Sequence, residues 1–482
     1  MLTLILILLP LVAGLILLGL NGAAIKRVAL IAALVELALA VYVFYAFRPD
    51  ASSQFSLRYA WIGSLGIYFN IGIDGISLLL VLLSTGLVPL IILSTFNHSY
   101  RNPSAFYGLI LFMQSALVGV FTAKDAFLFY LFFEAALIPV YFIAALWGGE
   151  NRIRVTFKFF IYTFFGSLFM FLGLVYLYFQ TPGGHTSDLS AFYALQLSGE
   201  QQNYLFWALF IAFAIKMPVF PFHTWQPDTY VESPTPATML LAGIMLKMGT
   251  YGLIRIVLPI VPLGVERWGT TALVLSVIGI VYGSIIAIQQ RDMKRLIAYS
   301  SFAHVGLMSA GILSQTLDGV QGSLIQMLTH GINVVGLFFV VDIIFSRTNS
   351  RELDRLGGIT QNTPNLTVYF IILMLGSVAL PLTNGFVGEF LLLRGVYEYN
   401  TWLGAVAGLT IILGAVYMLR MVQKSMFGVR TALTEHVTDL NLNEKLVLLP
   451  LAVMVFAIGL SPNSFLKLTE PAVAALLQSM SR

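Results

Sequence analysis

Six side chains that can bind and release protons lie inside long apolar stretches of this sequence. They are Glu134, Lys216, Lys247, His304, His330 and Glu389. An ionisable residue at the centre of a bilayer costs roughly 2.5–3.5 kcal/mol on insertion scales, so it indicates a functional site by default. The set runs from an acid through two lysines and two histidines to a second acid, and burial and neighbouring charges tune when each group holds its proton. This composition predicts a proton relay.

Glu134 and Lys216 suggest how such a relay could be switched. A carboxylate that moves toward or away from a lysine changes whether that lysine holds or releases its proton. The alternative for these two residues is a static structural ion pair. The alternative for His304 and His330 is a pair of packed, hydrogen-bonded histidines without a role in transport.

Two of the apolar stretches are interrupted by proline beside a charge. Pro218 and Pro221 follow Lys216, and Pro381 precedes Glu389. Proline removes a backbone donor and frees a carbonyl, so we expect the helix to break at both places. Interrupted helices at matching positions in two halves are typical of transporters built from repeats. The alternative is an ordinary proline kink.

The elements that position these residues are membrane-spanning helices, each of which needs about 20 mostly apolar residues. The sequence predicts about 14 of them, at 2–20, 28–47, 73–96, 105–122, 125–147, 155–179, 203–221, 234–257, 268–288, 293–313, 319–345, 366–393, 400–419 and 446–460. The expected fold class is an all-α polytopic membrane protein with broken helices 7 and 12. The first stretch lacks a basic leader and a cleavage site, so we interpret it as a retained helix rather than a signal peptide.

The two breaks also predict an internal repeat. If helices 4–8 and helices 9–13 each form one half, both breaks fall in the fourth helix of a half, and an odd number of helices per half requires the halves to be inverted. This arrangement predicts helices 1–3 in residues 1–100, a first five-helix repeat in 101–262, a second, inverted repeat in 263–430, and helix 14 with the C-terminal tail in 431–482.

The composition excludes several classes of protein. Of the 482 residues, 58% are hydrophobic and only 10% are charged, whereas soluble domains carry about 25% charged residues. A water-soluble enzyme, a nucleic-acid binder and a disordered chain are therefore excluded. Cysteine is absent, which excludes disulfides and thiolate-bound clusters. Because nucleotide-binding glycine motifs are also missing, we expect no cofactor and no metal in this chain.

The placement of basic residues predicts the orientation in the membrane. One set of alternate loops holds about twice as many lysines and arginines as the other, and the richer set is expected in the cytoplasm. Both termini are therefore expected on the outer side. Lys294 is counted in the richer set, and Arg255 and Arg482 are counted in the poorer one.

Four further features carry expectations of their own. We expect Glu36, in the second helix, to face a partner subunit or lipid headgroups. Asp74 and Asp342 lie near predicted helix ends, where we expect them to cap or to reach the interface. The stretch 68–72 is expected to form a small strand or hairpin.

Short motifs along the sequence carry a resemblance to a known family. They are LFFEAALIP at 131–139, WGGENR at 147–152, KFFIYT at 158–163, KMP at 216–218, PFHTWQPD at 221–228, SPTP at 233–236, LK at 246–247, DMKRLIAYSS at 292–301 and GFVGEF at 385–390. With these motifs the sequence resembles, over nearly its whole length, subunit M of the chain-4 type from the proton-pumping NADH:quinone oxidoreductases (respiratory complex I). The resemblance implies that the six ionisable residues form a central hydrophilic axis.

The resemblance also implies a function and its setting. The implied function is that of a non-redox, proton-translocating subunit in a bacterial inner membrane, beside paralogous antiporter-like subunits, with flavin, iron–sulfur clusters and quinone in partner subunits. Paralogues and multi-subunit cation/proton antiporters usually carry lysine where this chain has Glu389, so the glutamate favours subunit M. The stretch 379–384 departs from the small residues that the family more often has there. The alternatives are a subunit of a cation/proton antiporter or membrane-bound hydrogenase, and a structural scaffold without transport.

Overall fold

The structure is a computed structural model that describes residues 1–22 and 24–480. Residues 23 and 481–482 lie outside the described residues, and with them lie Arg482 and the end of the predicted region 431–482. The described chain is built almost wholly of helices joined by short loops, with one two-stranded antiparallel sheet.

The helices up to the middle of the chain are α1 (Leu2–Leu18), α2 (Ala24–Ala46), α3 (Gly75–Ser94), α4 (Pro103–Thr122), α5 (Ala126–Ala135), α6 (Leu137–Trp147), α7 (Arg152–Gln180), α8 (Leu189–Tyr193), α9 (Gly199–Lys216), α10 (Gln226–Glu232), α11 (Thr235–Leu240), α12 (Lys247–Gly252) and α13 (Leu258–Ile260). The later helices are α14 (Pro262–Gln289), α15 (Met293–Leu313), α16 (Leu317–Thr348), α17 (Pro364–Ser377), α18 (Asn384–Tyr399), α19 (Thr401–Ala407), α20 (Leu409–Met426), α21 (Leu442–Leu460) and α22 (Asn463–Met480). The strands are β1 (Gln54–Ile62) and β2 (Ile67–Ile73), and short 3₁₀ turns lie at Gly63–Leu65 and Ile359–Gln361.

Eleven helical segments of the described chain are long and apolar enough to cross a bilayer. Some are composite, because α5 continues into α6, α11 continues to α13, and α19 continues into α20. The other predicted stretches coincide with α1, which has 17 residues, and with the α9–α10 and α17–α18 pairs. The chain is therefore a mostly helical polytopic membrane protein, as the sequence predicted.

The strand predicted at 68–72 is present as part of β2. Strands β1 and β2 pair antiparallel, and β2 lies against the loop between α4 and α5, where the Lys124 backbone N–H donates to the Asn70 carbonyl at 2.8 Å. We call this end of the helices the hairpin side and the other end the opposite side. The hairpin marks one surface of the membrane fold.

The break predicted at Pro218 and Pro221 is present. Helix α9 ends at Lys216, and α10 begins only at Gln226. Proline cannot donate a hydrogen bond, so the ladder of α9 cannot continue. The Trp225 indole N–H donates to the carbonyl of Ile215 at 2.9 Å, which satisfies one of the acceptors that the break leaves over.

The break predicted at Pro381 is present as well. Helix α17 ends at Ser377 and α18 begins at Asn384. Between them, the Thr383 hydroxyl donates to the carbonyl of Leu380 at 2.6 Å. The two breaks leave Lys216 at the last residue of a half-helix and Glu389 in the second turn of another.

A third irregular helix was not predicted. The rod from α11 to α13 contains two π-helical turns, Leu241–Met245 and Leu253–Val257, on either side of α12. Such turns are rare and occur frequently at functional sites. All residues of the rod's most apolar stretch are buried in the fold, so Lys247 at the start of α12 lies at its centre.

The prediction for Glu36 was wrong. Its side chain is fully buried within the described chain, and neither carboxylate oxygen has a hydrogen-bond partner among the described residues. The buried face of α2 otherwise carries mostly small residues, with Ala33 and Ala40 on either side of Glu36. This small-residue face packs closely against the neighbouring helices and draws the carboxyl group inside the bundle instead of leaving it toward lipid.

Candidate functional site

Four of the six predicted residues lie in one buried run. They are Lys247 on α12, His330 on α16, His304 on α15 and Glu389 on α18. Their exposed fractions lie between 1% and 5%. Four separate helices therefore each bring one deeply buried ionisable side chain to the same place in the fold.

The first contact of this run joins Lys247 to His330. The Lys247 ammonium nitrogen lies 2.9 Å from His330 Nδ1 and donates to the Ala242 carbonyl at 2.6 Å. Ala242 belongs to the first π-helical turn, whose altered register leaves this carbonyl within reach of the lysine. The π turn thus fixes where the lysine points, which the sequence did not indicate.

The last contact of the run joins His304 to Glu389. His304 Nε2 lies 3.1 Å from Glu389 Oε1, and both side chains are almost wholly buried. An imidazole and a carboxyl group this close can exchange a proton once donor and acceptor are aligned. The break before α18 places Glu389 opposite His304.

The two imidazoles face each other between these contacts. Their ring centroids are 5.7 Å apart, and the Nε2 atom of His330 has no hydrogen-bond partner in the described chain. A small cavity borders both rings and is lined by further polar side chains, among them Ser300, Gln326 and Asn333. A cavity with such partners suits a bridging water, which completes many proton paths.

Lys216 and Glu134 form a separate and looser group. Lys216 is 2% exposed, and its ammonium nitrogen lies 4.9 Å from the centre of the Phe133 ring. Glu134 is half-buried and lies next to Ser167 of α7, close enough to Lys216 for an electrostatic interaction but not for a salt bridge within 4.0 Å. Lys216 and Glu134 are therefore not paired with each other in this structure.

The Glu134–Lys216 pair and the Lys247–Glu389 run are joined by a backbone contact and not by their charges. Gly249, two residues after Lys247, lies against Met217, one residue after Lys216. A Cβ atom at Gly249 would lie 2.8 Å from the Met217 backbone nitrogen, so only glycine allows α12 to approach the end of α9 so closely. This contact connects the break after Lys216 to the helix that carries Lys247.

A pair of asparagines supports the second break. Asn333 of α16 and Asn384 at the start of α18 exchange two amide hydrogen bonds of 3.1 Å. This pair fixes the start of α18, and hence Glu389, relative to the helix of His330. Sequence reasoning missed it, although a polar residue in an apolar helix is the signal that could have found it.

A further polar cluster lies between the cavity and the opposite side. Gln226 and Tyr230 of α10 and Ser301 of α15 lie close to one another, but their side chains form no hydrogen bond of normal geometry in the described chain. Lys294 lies beyond them, and its ammonium donates to the Ser233 carbonyl at 2.6 Å. Sequence reasoning counted Lys294 as a loop residue, yet it is buried in the first turn of α15.

Asp74 caps a helix, as predicted, and also anchors an ion cluster on the hairpin side. Its carboxylate accepts from the backbone N–H groups of Ile76 and Ser77 at the start of α3. It also contacts Arg255 and Lys124, each at 2.6 Å. Burial on its own raises the pKa of Asp74. The two cations lower it by more than burial raises it, and so hold the pKa well below its usual range. Arg255 was expected in a loop, but it lies buried in the second π-helical turn.

Asp342 does not cap a helix. It accepts a hydrogen bond from Thr235 at 2.5 Å and lies 2.9 Å from His98 Nε2, which joins α16 to the start of α11 and to the loop after α3. The hydrogen bond to Asp342 raises the pKa of His98 above its ordinary value. Among residues 1–22 and 24–480, no group of three or more His, Asp or Glu side chains is arranged to hold a metal ion.

Known proteins are similar to this chain in sequence and in the arrangement of their helices. Residues 123–414 match the family described as "NADH:quinone oxidoreductase/Mrp antiporter, TM". NADH-quinone oxidoreductase subunit M from Rickettsia typhi is 41% identical over 459 residues, which cover 94% of this chain and 92% of the relative. NADH-ubiquinone oxidoreductase chain 4 from Marchantia polymorpha is 36% identical over 98% of this chain and 96% of its own length.

A solved structure agrees with these relatives. A chain of respiratory complex I from Thermus thermophilus with bound NADH superposes with a TM-score of 0.93 at 31% identity, and the match covers 100% of both chains. Relatives of this name match along nearly the whole chain, so the alternative of an antiporter or hydrogenase subunit is not favoured. The chain belongs to the family of NADH-quinone oxidoreductase subunit M, the chain-4 type of membrane subunit in respiratory complex I.

Proposed function

We propose that this chain moves protons across the membrane through the run Lys247, His330, His304 and Glu389, coupled to quinone reduction elsewhere in the complex. The observation that carries the proposal is the contact of four buried ionisable groups, at 2.9 Å between Lys247 and His330 and 3.1 Å between His304 and Glu389. Burying such groups is costly, so a run of them indicates proton transfer rather than packing.

Each member of the run can pass a proton to the next. Lys247 holds a proton directed at His330, and His304 lies close enough to Glu389 to exchange one with it. A water in the polar cavity would connect the unpartnered Nε2 of His330 to the other imidazole. Because every step is a transfer between neighbouring nitrogen or oxygen atoms, the run needs no redox centre. We place flavin, iron–sulfur clusters and quinone in partner subunits.

Lys216 and Glu134 act as the switch at the end of the relay that lies away from Glu389. In the present arrangement the carboxylate lies apart from the lysine. Movement of Glu134 toward Lys216 stabilises the protonated lysine, and movement away favours release of its proton toward Lys247. The half-buried position of Glu134 and the break directly after Lys216 give both residues room to move.

Protons enter from the opposite side, beside α10. The unpartnered polar atoms of Gln226, Tyr230 and Ser301 lead from that side toward the cavity, and Ser301 also lines it. Buried polar groups without protein partners are satisfied by water in most structures, and a file of water conducts protons. Glu389, on the half-helix that runs toward the hairpin side, passes protons outward.

The membrane setting follows the same proposal. The α9–α10 and α17–α18 pairs each cross the bilayer as one broken helix, which brings the total to about 14 crossings. The units 101–262 and 263–430 form two inverted repeats, flanked by 1–100 and 431–482. The hairpin side and both termini face the outside of a bacterial inner membrane. The partners are the other membrane subunits of the complex, including paralogous antiporter-like ones.

Replacement of Lys216 tests the proposal. Lys216→Ala should leave the complex assembled and lower NADH-driven proton uptake in reconstituted vesicles roughly hundredfold, the low end for loss of a proton-transfer group. Lys216→Arg should fail as well, because a guanidinium does not release its proton. Lys445→Ala is the matched control, because Lys445 is exposed and far from the relay. Normal pumping by an assembled Lys216→Ala complex would remove Lys216 from the relay.

A further inference from the structure

One face of the central rod connects the relay to the hairpin side. Lys247, Tyr251 and Arg255 follow one another at intervals of four residues, so they lie along the same face of the helix. All three are buried, and Arg255 ends the row at the ion cluster with Asp74 and Lys124. Here the hairpin side is only two helical turns away from the relay lysine.

The tyrosine in this row does not conduct protons. Its hydroxyl donates to the carbonyl of Phe121 at 2.9 Å and accepts from Arg255 Nε at 3.2 Å. A backbone carbonyl does not take up a proton and pass it on, so the hydroxyl proton has no onward path. The rings of Phe121 and Phe129 pack against Tyr251, which leaves apolar surface around the hydroxyl.

The arginine at the end of the row carries a fixed positive charge. One Arg255 guanidinium nitrogen lies 2.6 Å from both carboxylate oxygens of Asp74, and the Lys124 ammonium lies 2.6 Å from one of them. One carboxylate therefore faces two cations. The guanidinium keeps its charge at every physiological pH. The side chains of Asp74, Arg255 and Lys124 are 8%, 11% and 16% exposed, so water screens the charge only weakly.

Further charges nearby are already paired elsewhere. The Asp125 carboxylate accepts from Ser187 at 2.6 Å and from the backbone at the start of α5. Asp188 accepts from Asn70 and lies 3.4 Å from Arg58. Neither acid has a contact with Arg255 or Lys124 within 4.0 Å. Burial lowers the pKa of Lys124 to about 8, so the guanidinium of Arg255 supplies the charge that does not depend on pH.

We propose that Arg255, held in place by Asp74 and Lys124, is an electrostatic barrier that keeps protons on Lys247 from leaking to the hairpin side through the first half of the protein. A fixed arginine in a narrow, poorly hydrated passage repels protons and other cations. With this route closed, protons on Lys247 pass to His330 and leave by way of Glu389. The inference rests on the relay proposed above, and it assigns a role to three residues outside that relay.

The test is a measurement of passive proton leak. The purified native complex is reconstituted in vesicles, and proton entry is driven by a potassium diffusion potential without NADH. Arg255→Met should raise the leak severalfold over the wild-type complex at matched assembly, whereas Arg255→Lys, which keeps the charge, should remain tight. Arg267→Met is the matched control, because Arg267 is an exposed arginine near the start of α14 on the same side.

Two further variants keep the test decisive. If Arg255→Met fails to assemble, Lys124→Met removes the more exposed cation, leaves the Arg255–Asp74 pair intact and should leak in the same direction but less. The double variant Arg255→Met/Lys247→Met should be tight again, because the leak starts from Lys247. Assembled Met variants without a leak, or a leak that persists without Lys247, would overturn the barrier. Because no turnover is needed, these outcomes are independent of the pumping test on Lys216.

Discussion

The two groups of ionisable residues lie beside similar helix breaks but differ in how they are bonded. In the Lys247–Glu389 run, each residue has a partner in the run within 3.1 Å, and exposure does not exceed 5%. In the Glu134–Lys216 group, the lysine faces an aromatic ring and the acid lies half-buried beside a serine. The first arrangement is a fixed path, whereas the second is a pair held apart.

This difference teaches where motion is needed. A run of closely spaced donors and acceptors transfers protons without large displacement, because each proton moves only a short distance. A separated acid and lysine change their interaction only when one of them moves, and a half-helix end next to an irregular segment allows such movement. We therefore assign conduction to the Lys247–Glu389 run and switching to the Glu134–Lys216 pair.

The largest effect is expected at Glu389, in the fixed path. In Glu389→Gln the amide oxygen can still accept a hydrogen bond from His304, but it cannot carry a proton. Pumping should fall at least roughly hundredfold, as for loss of a proton-transfer group, and Glu389→Ala should be equally impaired. Proton uptake by reconstituted complex at matched assembly is the measurement.

Glu389→Lys separates a conducting role from a structural one. A lysine can donate to His304 Nε2 when the imidazole carries its proton on Nδ1, so a proton path remains. We expect measurable pumping in this variant. Activity in Glu389→Gln with none in Glu389→Lys would mean that the side chain only supports the start of α18.

A smaller effect is expected at Glu134, in the separated pair. Glu134→Gln should lower pumping about as much as Glu134→Ala, because the charge and not the shape of the side chain acts on Lys216. Glu134→Asp keeps a carboxylate one methylene shorter and should retain part of the activity. The loss should stay below that of Glu389→Gln, since conduction through the Lys247–Glu389 run is intact. Normal turnover of Glu134→Gln would show that the comparison between a switch and a path is wrong.

The sequence predicted the six residues, because a charge in an apolar helix is visible without coordinates. Proline likewise revealed both breaks. The sequence did not predict the π-helical turns around Lys247, which depend on packing along the whole rod, nor the burial of Glu36, which depends on close packing of small residues on α2. Arg255 was counted as a loop residue because the sequence alone does not show its partner. That partner, Asp74, lies 181 residues away in the sequence.

The junction between the two groups is itself open to test. Gly249 lies so close to the end of α9 that an added Cβ atom would meet the Cβ atom of Met217 at 2.7 Å and its backbone nitrogen at 2.8 Å. Backbone cannot yield as a side-chain tip can, so α12 and α9 must separate in Gly249→Ala. The separation moves Lys216 away from Lys247 while both charges remain.

We therefore expect Gly249→Ala to reduce pumping about twofold to fivefold and to destabilise the chain by about 1–3 kcal/mol, the usual cost of overpacking. Gly86→Ala in α3 is the matched control, because an added Cβ atom there has no neighbour within 4 Å. Proton uptake and the thermal stability of the purified complex are measured together. A loss of stability without any loss of pumping would mean that the spacing between the two groups does not limit transfer, and that the switch reaches the path by another route.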